Sequence, residues 1–170
     1  PENLARIESA IPDSLAAVKW MPFDDATERT LIERVDLAGP YLQGVRANFD
    51  LKPVLTSGIR VVVDSMFGAG AGYMDQLLSG EAIQLRTIRQ EHNPGFPGIA
   101  RPEPIPPYID ALGDAIRTTG ASVGIVHDGD ADRLGIVDEN GNFIDQLRVM
   151  SLLAYYLLEF SMPIGPIVRT

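Results

Sequence analysis

Residues 122–144 read SVGIVHDGDADRLGIVDENGNFI, and this stretch determines most of the fold prediction. Ser122 to Val126 is a short, largely β-branched apolar run, as expected of a buried strand. It leads directly into an acidic loop at 128–133. The runs 134–137 and 142–144 then flank an Asn-Gly pair, the strongest short-range signal of a β-hairpin. The stretch therefore predicts a strand, an acidic loop and a hairpin in succession.

Strands and helices alternate on both sides of this stretch. The predicted strands are 59–63, 83–88 and a final one at 166–169; the predicted helices contain Met74 to Leu78, Ile109 to Arg117 with Gly120 as a cap, and Leu147 to Phe160. This alternation plus one hairpin predicts an α/β fold, a three-layer α/β/α sandwich with a mixed sheet. The acidic loop follows the carboxyl end of a strand, where open α/β sheets usually place ligands.

The first fifty residues contain no strand pattern and are predicted to be helical. Leu4, Ile7 and Ile11 recur at helical spacing, whereas Trp20 to Asp25 reads as a turn. Apolar positions resume between 31 and 37, and Pro40 is predicted to open a helix that reaches Phe49.

Composition excludes several classes of protein. Hydrophobic residues make up 45% and charged residues 22% of 170, which is an ordinary globular balance. A net charge of −9 argues against a nucleic-acid surface, because phosphate backbones require clustered Lys and Arg. The chain has no Cys, which excludes disulfides and thiolate metal sites and fits a cytoplasmic location. The apolar run 152–158 is too short to cross a membrane.

The acidic loop indicates a metal site. Asp128, Asp130 and Asp132 are separated only by small residues, and carboxylates this close repel one another. A hard divalent cation such as Mg²⁺ or Ca²⁺ takes oxygen ligands and neutralises the repulsion. Arg133 adds a fixed positive fork suited to phosphate. The loop therefore predicts a divalent cation that holds a phosphorylated group.

Two other interpretations of the loop are weaker. The three aspartates and Glu139 occupy positions 1, 3, 5 and 12 of an EF-hand calcium loop, but Arg133 stands where that loop requires Gly. The flanking segments are also predicted strands rather than helices. A solvated acidic turn without a ligand is the remaining alternative. His127 is expected to lie beside the ligands or to pack, since Mg²⁺ seldom takes imidazole.

The glycines 68, 70 and 72 follow a strand and precede a helix, as in a dinucleotide fingerprint. Tyr73 stands where that pattern requires its third Gly, so a tight turn with close packing is the preferred interpretation. Asp64 is expected to cap this turn.

Four motifs in order resemble the α-D-phosphohexomutases, the family of phosphoglucomutases, phosphomannomutases and phosphoglucosamine mutases. They are VVVDSMFGAG at 61–70, NPGFPG at 93–98, PEPI at 102–105 and DGDADR at 128–133. The resemblance covers about residues 41–160 and follows the second of the family's four domains. It implies that residues 1–50 are the tail of the first domain, 51–163 the second domain and 164–170 the start of the third.

The resemblance also implies an activity. Asp128, Asp130 and Asp132 would bind Mg²⁺, and Arg133 would help to stabilise a phosphoryl group in transfer. Family members interconvert hexose 1-phosphates and hexose 6-phosphates through a phosphoserine in the first domain and a hexose bisphosphate intermediate. The phosphoserine stretch, Thr-Ala-Ser-His-Asn-Pro, does not occur in this sequence. We therefore expect the chain to require the other domains and to be inactive alone.

Two competing functions follow from the same residues. One is a non-enzymatic Ca²⁺-binding module, in which the loop has no catalytic role. The other is a phosphatase-type enzyme in which Asp128 is the nucleophile; this requires its carboxylate to stay free for attack.

Overall fold

A five-stranded mixed sheet forms the centre of residues 41–170, one of two compact units; the other is residues 1–40. In this computed structural model the described residues are 2–80, 82–161 and 165. The strands are β1 Arg60–Asp64, β2 Gln84–Ile88, β3 Val123–His127, β4 Leu134–Asp138 and β5 Phe143–Ile144. Their order is β2-β1-β3-β4-β5, with β1 parallel to β2 and β3, and with β4 antiparallel to β3 and β5. The strands predicted at 59–63, 83–88 and 122–126 and the hairpin are confirmed.

Helices flank the sheet and precede it. They are α1 Glu2–Glu8, α2 Phe23–Glu28, α3 Ala38–Asn48, α4 Lys52–Leu55, α5 Tyr73–Leu77, α6 Asp110–Thr119 and α7 Gln146–Tyr156, with a 3₁₀ turn at Leu15–Ala17 and a π-helical turn at Leu157–Ser161. None of the helices among the described residues has the length and apolar character that a membrane crossing requires.

Both faces of the sheet are covered, because side chains alternate along each strand. On one face Val62 of β1 packs with Leu112 and Ile116 of α6 and with Val126 and Val137. On the opposite face the buried cluster is Val61, Val63, Leu78 and Ile83, with Met74 and Leu77 of α5 packed against it. The predicted three-layer α/β/α arrangement is thereby confirmed. Gly120 ends α6 in a left-handed conformation, as predicted.

The acidic loop connects β3 to β4. His127 and Leu134 are the last paired residues of the antiparallel ladder, so residues 128–133 form the connecting loop of the β3–β4 hairpin. Strands rather than helices flank the loop, which agrees with the rejection of an EF-hand.

The N-terminal unit differs from prediction in two places. Residues 23–25 begin a helix, α2, rather than belonging to a turn, and Asp24 and Asp25 lie in its first turn, where negative charge is favourable. The apolar positions between 31 and 37 form no helix and stay exposed. The strand predicted at 166–169 lies outside the described residues.

Candidate metal centre

Three carboxylates converge in the loop between β3 and β4. One oxygen from each of Asp128, Asp130 and Asp132 lies within 4.8 Å of the others. Asp128 is 1% exposed at the end of β3, whereas Asp130 and Asp132 are more accessible. Ala131 has φ of 62°, and its left-handed conformation turns the chain between Asp130 and Asp132. Three hard oxygen donors in one place fit a divalent cation such as Mg²⁺ or Ca²⁺.

Arg133 contacts two of these carboxylates. Its backbone N–H donates to Asp128 Oδ1 at 3.0 Å, and its Nε donates to Asp128 Oδ2 at 2.8 Å and to Asp132 Oδ1 at 3.3 Å. The side chain is nevertheless 62% exposed. Nε is the atom engaged, and within the described part of the chain the terminal nitrogens have no acceptor. The guanidinium can therefore hold the loop and present donors outward at the same time.

Asp128 is kept ionised by its neighbours. Burial alone would raise the pKa of this carboxyl, but hydrogen bonds from the Arg133 backbone and from its side chain outweigh that effect and hold the pKa below its usual value. A carboxylate that stays charged is suited to ligating a metal. Because both of its oxygens accept hydrogen bonds from Arg133, the geometry does not favour Asp128 as a free nucleophile.

Gly129 is held from two sides. Its N–H donates to the Pro102 carbonyl at 2.9 Å, and its own carbonyl accepts from Ala69 N–H at 2.9 Å. A Cβ at Gly68 would lie 2.5 Å from the Gly129 oxygen, and one at Gly129 would lie 3.2 Å from Phe96 Cζ. All four stretches that carry the family resemblance thus meet at the loop. The tight turn predicted for the glycine cluster is confirmed, and the packing partner of Gly68 is the acidic loop.

His127 lies in packing contact beside the loop, as predicted. Its Nδ1 is buried and accepts or donates no hydrogen bond among the described residues. Burial lowers the pKa of this imidazole, although the Asp128 and Asp64 carboxylates act in the opposite direction. A cleft of about 310 Å³ opens here, and its lining includes His127, Asp130, Tyr41 and Tyr73. Asp130 is therefore reachable from solvent through this cleft.

A buried ion pair beside the site was not anticipated from the sequence. Asp64 is 0% exposed and accepts hydrogen bonds from Arg89 through both of its oxygens, with the Nε to Oδ1 distance 2.8 Å. Its Oδ1 also accepts from Met66 N–H at 3.0 Å, which is the predicted turn cap. Asp64 and Arg89 are 25 residues apart, and the parallel pairing of β1 with β2 brings them together. Local sequence patterns therefore do not predict the ion pair.

The chain is similar to known proteins of one family. Residues 39–141, more than half of the chain, match the profile "Phosphoglucomutase/phosphomannomutase, alpha/beta/alpha domain II". A probable phosphoglucosamine mutase of Pyrococcus furiosus is 33% identical over 163 residues, covering 94% of this chain and 33% of the relative. A probable phosphoglucosamine mutase of Thermococcus gammatolerans is 39% identical over 107 residues, covering 61% of this chain and 23% of the relative.

A solved structure shows the same likeness. The crystal structure of a Thermus thermophilus protein described as a phosphomannomutase superposes with a TM-score of 0.71 at 32% identity. The superposition covers 91% of this chain and 34% of that one. The chain thus spans about a third or less of the length of the relatives described above. On the profile match and the shared α/β architecture, this chain belongs to the phosphoglucomutase/phosphomannomutase family.

Proposed function

We propose that this chain supplies the Mg²⁺-binding part of a mutase that interconverts hexose 1-phosphate and hexose 6-phosphate. The observation that carries the proposal is the convergence of three aspartate oxygens within 4.8 Å, inside the stretch that matches the family's domain II. The relatives named as phosphoglucosamine mutases or phosphomannomutases support a phosphorylated hexose as the substrate class.

The residues have separate roles in this proposal. Asp128, Asp130 and Asp132 hold the ion, which when bound supplies positive charge to the phosphoryl group in transfer. Arg133 braces Asp128 and Asp132 through its Nε, and its terminal nitrogens would donate to phosphate oxygens. Arg133 is therefore the residue of this chain that would touch the reacting group.

The parent enzyme would contain further domains on both sides of this part. Residues 1–50 would be the tail of a first domain that carries the phosphoserine, 51–163 the second domain, and 164–170 the start of the third. The phosphoserine would pass its phosphoryl group to the hexose phosphate and recover it from a bisphosphate. The remaining domains would be the partners of this chain, with the cytoplasm as the expected location.

Metal titration tests the site. We expect Mn²⁺, followed by water proton relaxation or electron paramagnetic resonance, to bind weakly to the chain, because carboxylates alone complete only part of a divalent ion's coordination. Asp130→Asn should weaken this binding by roughly tenfold or more. Glu139→Gln is the matched control, since it removes one negative charge from the exposed turn after β4. Equal affinity of wild type and Asp130→Asn would refute the site.

An activity assay tests the division of labour between domains. The purified chain should show no interconversion of glucose 1-phosphate and glucose 6-phosphate, because the sequence lacks the phosphoserine stretch. A full-length phosphoglucomutase serves as the positive control. Measurable turnover by this chain would overturn the expectation.

Competition of Ca²⁺ and Mg²⁺ against bound Mn²⁺ distinguishes the enzymatic role from a calcium-binding module. A calcium-binding module would bind Ca²⁺ much more tightly than Mg²⁺.

A further inference from the structure

We propose that the Asp64–Arg89 ion pair is a positioning unit for the acidic loop. Neither residue hydrogen-bonds to the three aspartates; the pair acts through the two backbone segments that hold Gly129. The pair keeps the loop in its observed conformation. Its consequence for metal affinity rests on the site proposed above.

The pair ties three chain segments together at one point. Asp64 is the last residue of β1, and Arg89 directly follows β2. Arg89 Nη2 also donates to the Tyr108 carbonyl at 3.1 Å, in the segment that leads into α6. Since the Asp64 side chain is 0% exposed and that of Arg89 is 15% exposed, the pair exchanges little with water and its geometry is retained.

Two of these segments form hydrogen bonds with Gly129. Beyond Asp64 the chain turns, the Phe67 N–H donates to the Arg89 carbonyl at 2.9 Å, and the Ala69 N–H then donates to the Gly129 carbonyl. The segment that contains Tyr108 also contains Pro102, whose carbonyl accepts a hydrogen bond from the Gly129 N–H. Both backbone polar groups of Gly129 are therefore bonded to segments that the ion pair fixes.

The backbone around the pair requires such a constraint. Met66, Phe67 and Arg89 all have positive φ, at 47°, 60° and 48°, a region that residues with side chains seldom adopt. Such conformations persist when the surrounding contacts over-determine them. The hydrogen bonds from Arg89 to Asp64 and Tyr108, and from Met66 to Asp64, are those contacts.

Gly129 lies between the first two proposed ligands, so its position sets the spacing of Asp128 and Asp130. A loosened Gly129 would spread these carboxylates, and the affinity for a divalent ion would fall. Groups that orient metal ligands typically change affinity by about 10- to 100-fold when removed. If the ion pair only stabilised the fold, its removal would instead lower the stability of the whole domain without a selective effect on the loop.

Arg89→Lys tests the proposal, because it keeps the charge and removes the planar fork. Hydrogen exchange read by NMR should show the Gly129 and Ala69 amides exchanging roughly tenfold faster relative to β4 amides. The control is Ile83→Ala, a buried change that lies next to the start of β2 in the cluster on the opposite face from α6. This variant should lower stability without changing the exchange rates of the Gly129 and Ala69 amides relative to those of β4.

The Mn²⁺ dissociation constant, measured below the unfolding transition of each variant, should rise about tenfold or more in Arg89→Lys and change less than about twofold in Ile83→Ala. Uniform loss of protection across the sheet, or an unchanged dissociation constant in Arg89→Lys, would overturn the positioning role. If Arg89→Lys does not fold, the neutral pair Asp64→Asn with Arg89→Gln replaces it with the same expected pattern. Absence of Mn²⁺ binding by the wild type would refute the proposed metal site, while the exchange pattern would still decide whether the pair positions the loop.

Discussion

Residues without side chains shape the candidate site as much as the aspartates do. Gly68 and Gly129 allow two backbone segments to approach closely, which lets the Ala69 N–H reach the Gly129 carbonyl. The sequence identifies the three aspartates directly, because adjacent carboxylates have few structural explanations. It does not identify Phe96 or Pro102 as neighbours of the loop, because those contacts depend on how distant loops pack.

Gly68→Ala should destabilise the chain by about 1–3 kcal/mol, because its Cβ would lie 2.5 Å from the Gly129 oxygen and the backbone must shift. Gly44→Ala is the matched control. Gly44 is helical with nothing within 4 Å of an added Cβ, so Ala should stabilise by roughly 0.5–1 kcal/mol. Urea unfolding of both variants measures the difference. Wild-type stability in Gly68→Ala would contradict the close approach.

Asp138 should make the stability of the hairpin depend on pH. Hydrogen bonds from the Asn142 side chain and backbone, and from Asn140, lower the pKa of this carboxyl. A lowered pKa means that the stabilisation is present above about pH 5 and is lost as pH falls through the folded-state value. Asp138→Asn should therefore be less stable than wild type at neutral pH, and the difference should shrink in acid.

Thermal unfolding between neutral pH and about pH 3 measures this trend. Glu139→Gln, next in the chain, is the control for the change of charge. A stability difference between wild type and Asp138→Asn that stays constant across the range would show that the hydrogen bonds do not depend on ionisation.

At the scale of elements, local patterns predicted the sheet well and the N-terminal segment poorly. Strands β1, β3 and β4 contain short apolar runs, the prediction of β2 rests on Ile83, Leu85 and Ile88, and the Asn-Gly pair marks the hairpin. In residues 1–40 the apolar side chains have few partners within their own unit, where Ala26 is the one buried hydrophobic residue described. Periodicity predicts a helix reliably only when the apolar face is covered, and so α2 and the 31–37 segment were mispredicted.

At the scale of the molecule, α7 contacts β4 but contributes little to the buried core. None of its residues is buried, and Leu147, Leu152, Leu153 and Tyr155 are each more than half exposed. The family profile ends at residue 141, just before this helix. The proposed second domain, 51–163, includes α7, and the stability that this helix contributes can be measured by removing it.

A chain ending at Asp145 should unfold cooperatively with a midpoint within about 4 °C of the full chain, equivalent to roughly 1 kcal/mol at this size. The reason is that α7 leaves its apolar side chains in solvent and adds little burial. Calorimetry of both chains gives the comparison. A midpoint lowered by much more than this would show that the sheet depends on α7 for its stability.

The pairing of His127 with Leu134 has a consequence for insertions and deletions. Because an antiparallel ladder closes the acidic loop at its base, the number of residues between those two positions sets where each carboxylate points. One added residue would rotate part of the loop relative to the rest and separate the aspartates. The turn at 139–141 closes the other end of β4, where a change of length is absorbed in solvent. Among homologous chains, loop length should therefore be invariant at the first connection and variable at the second.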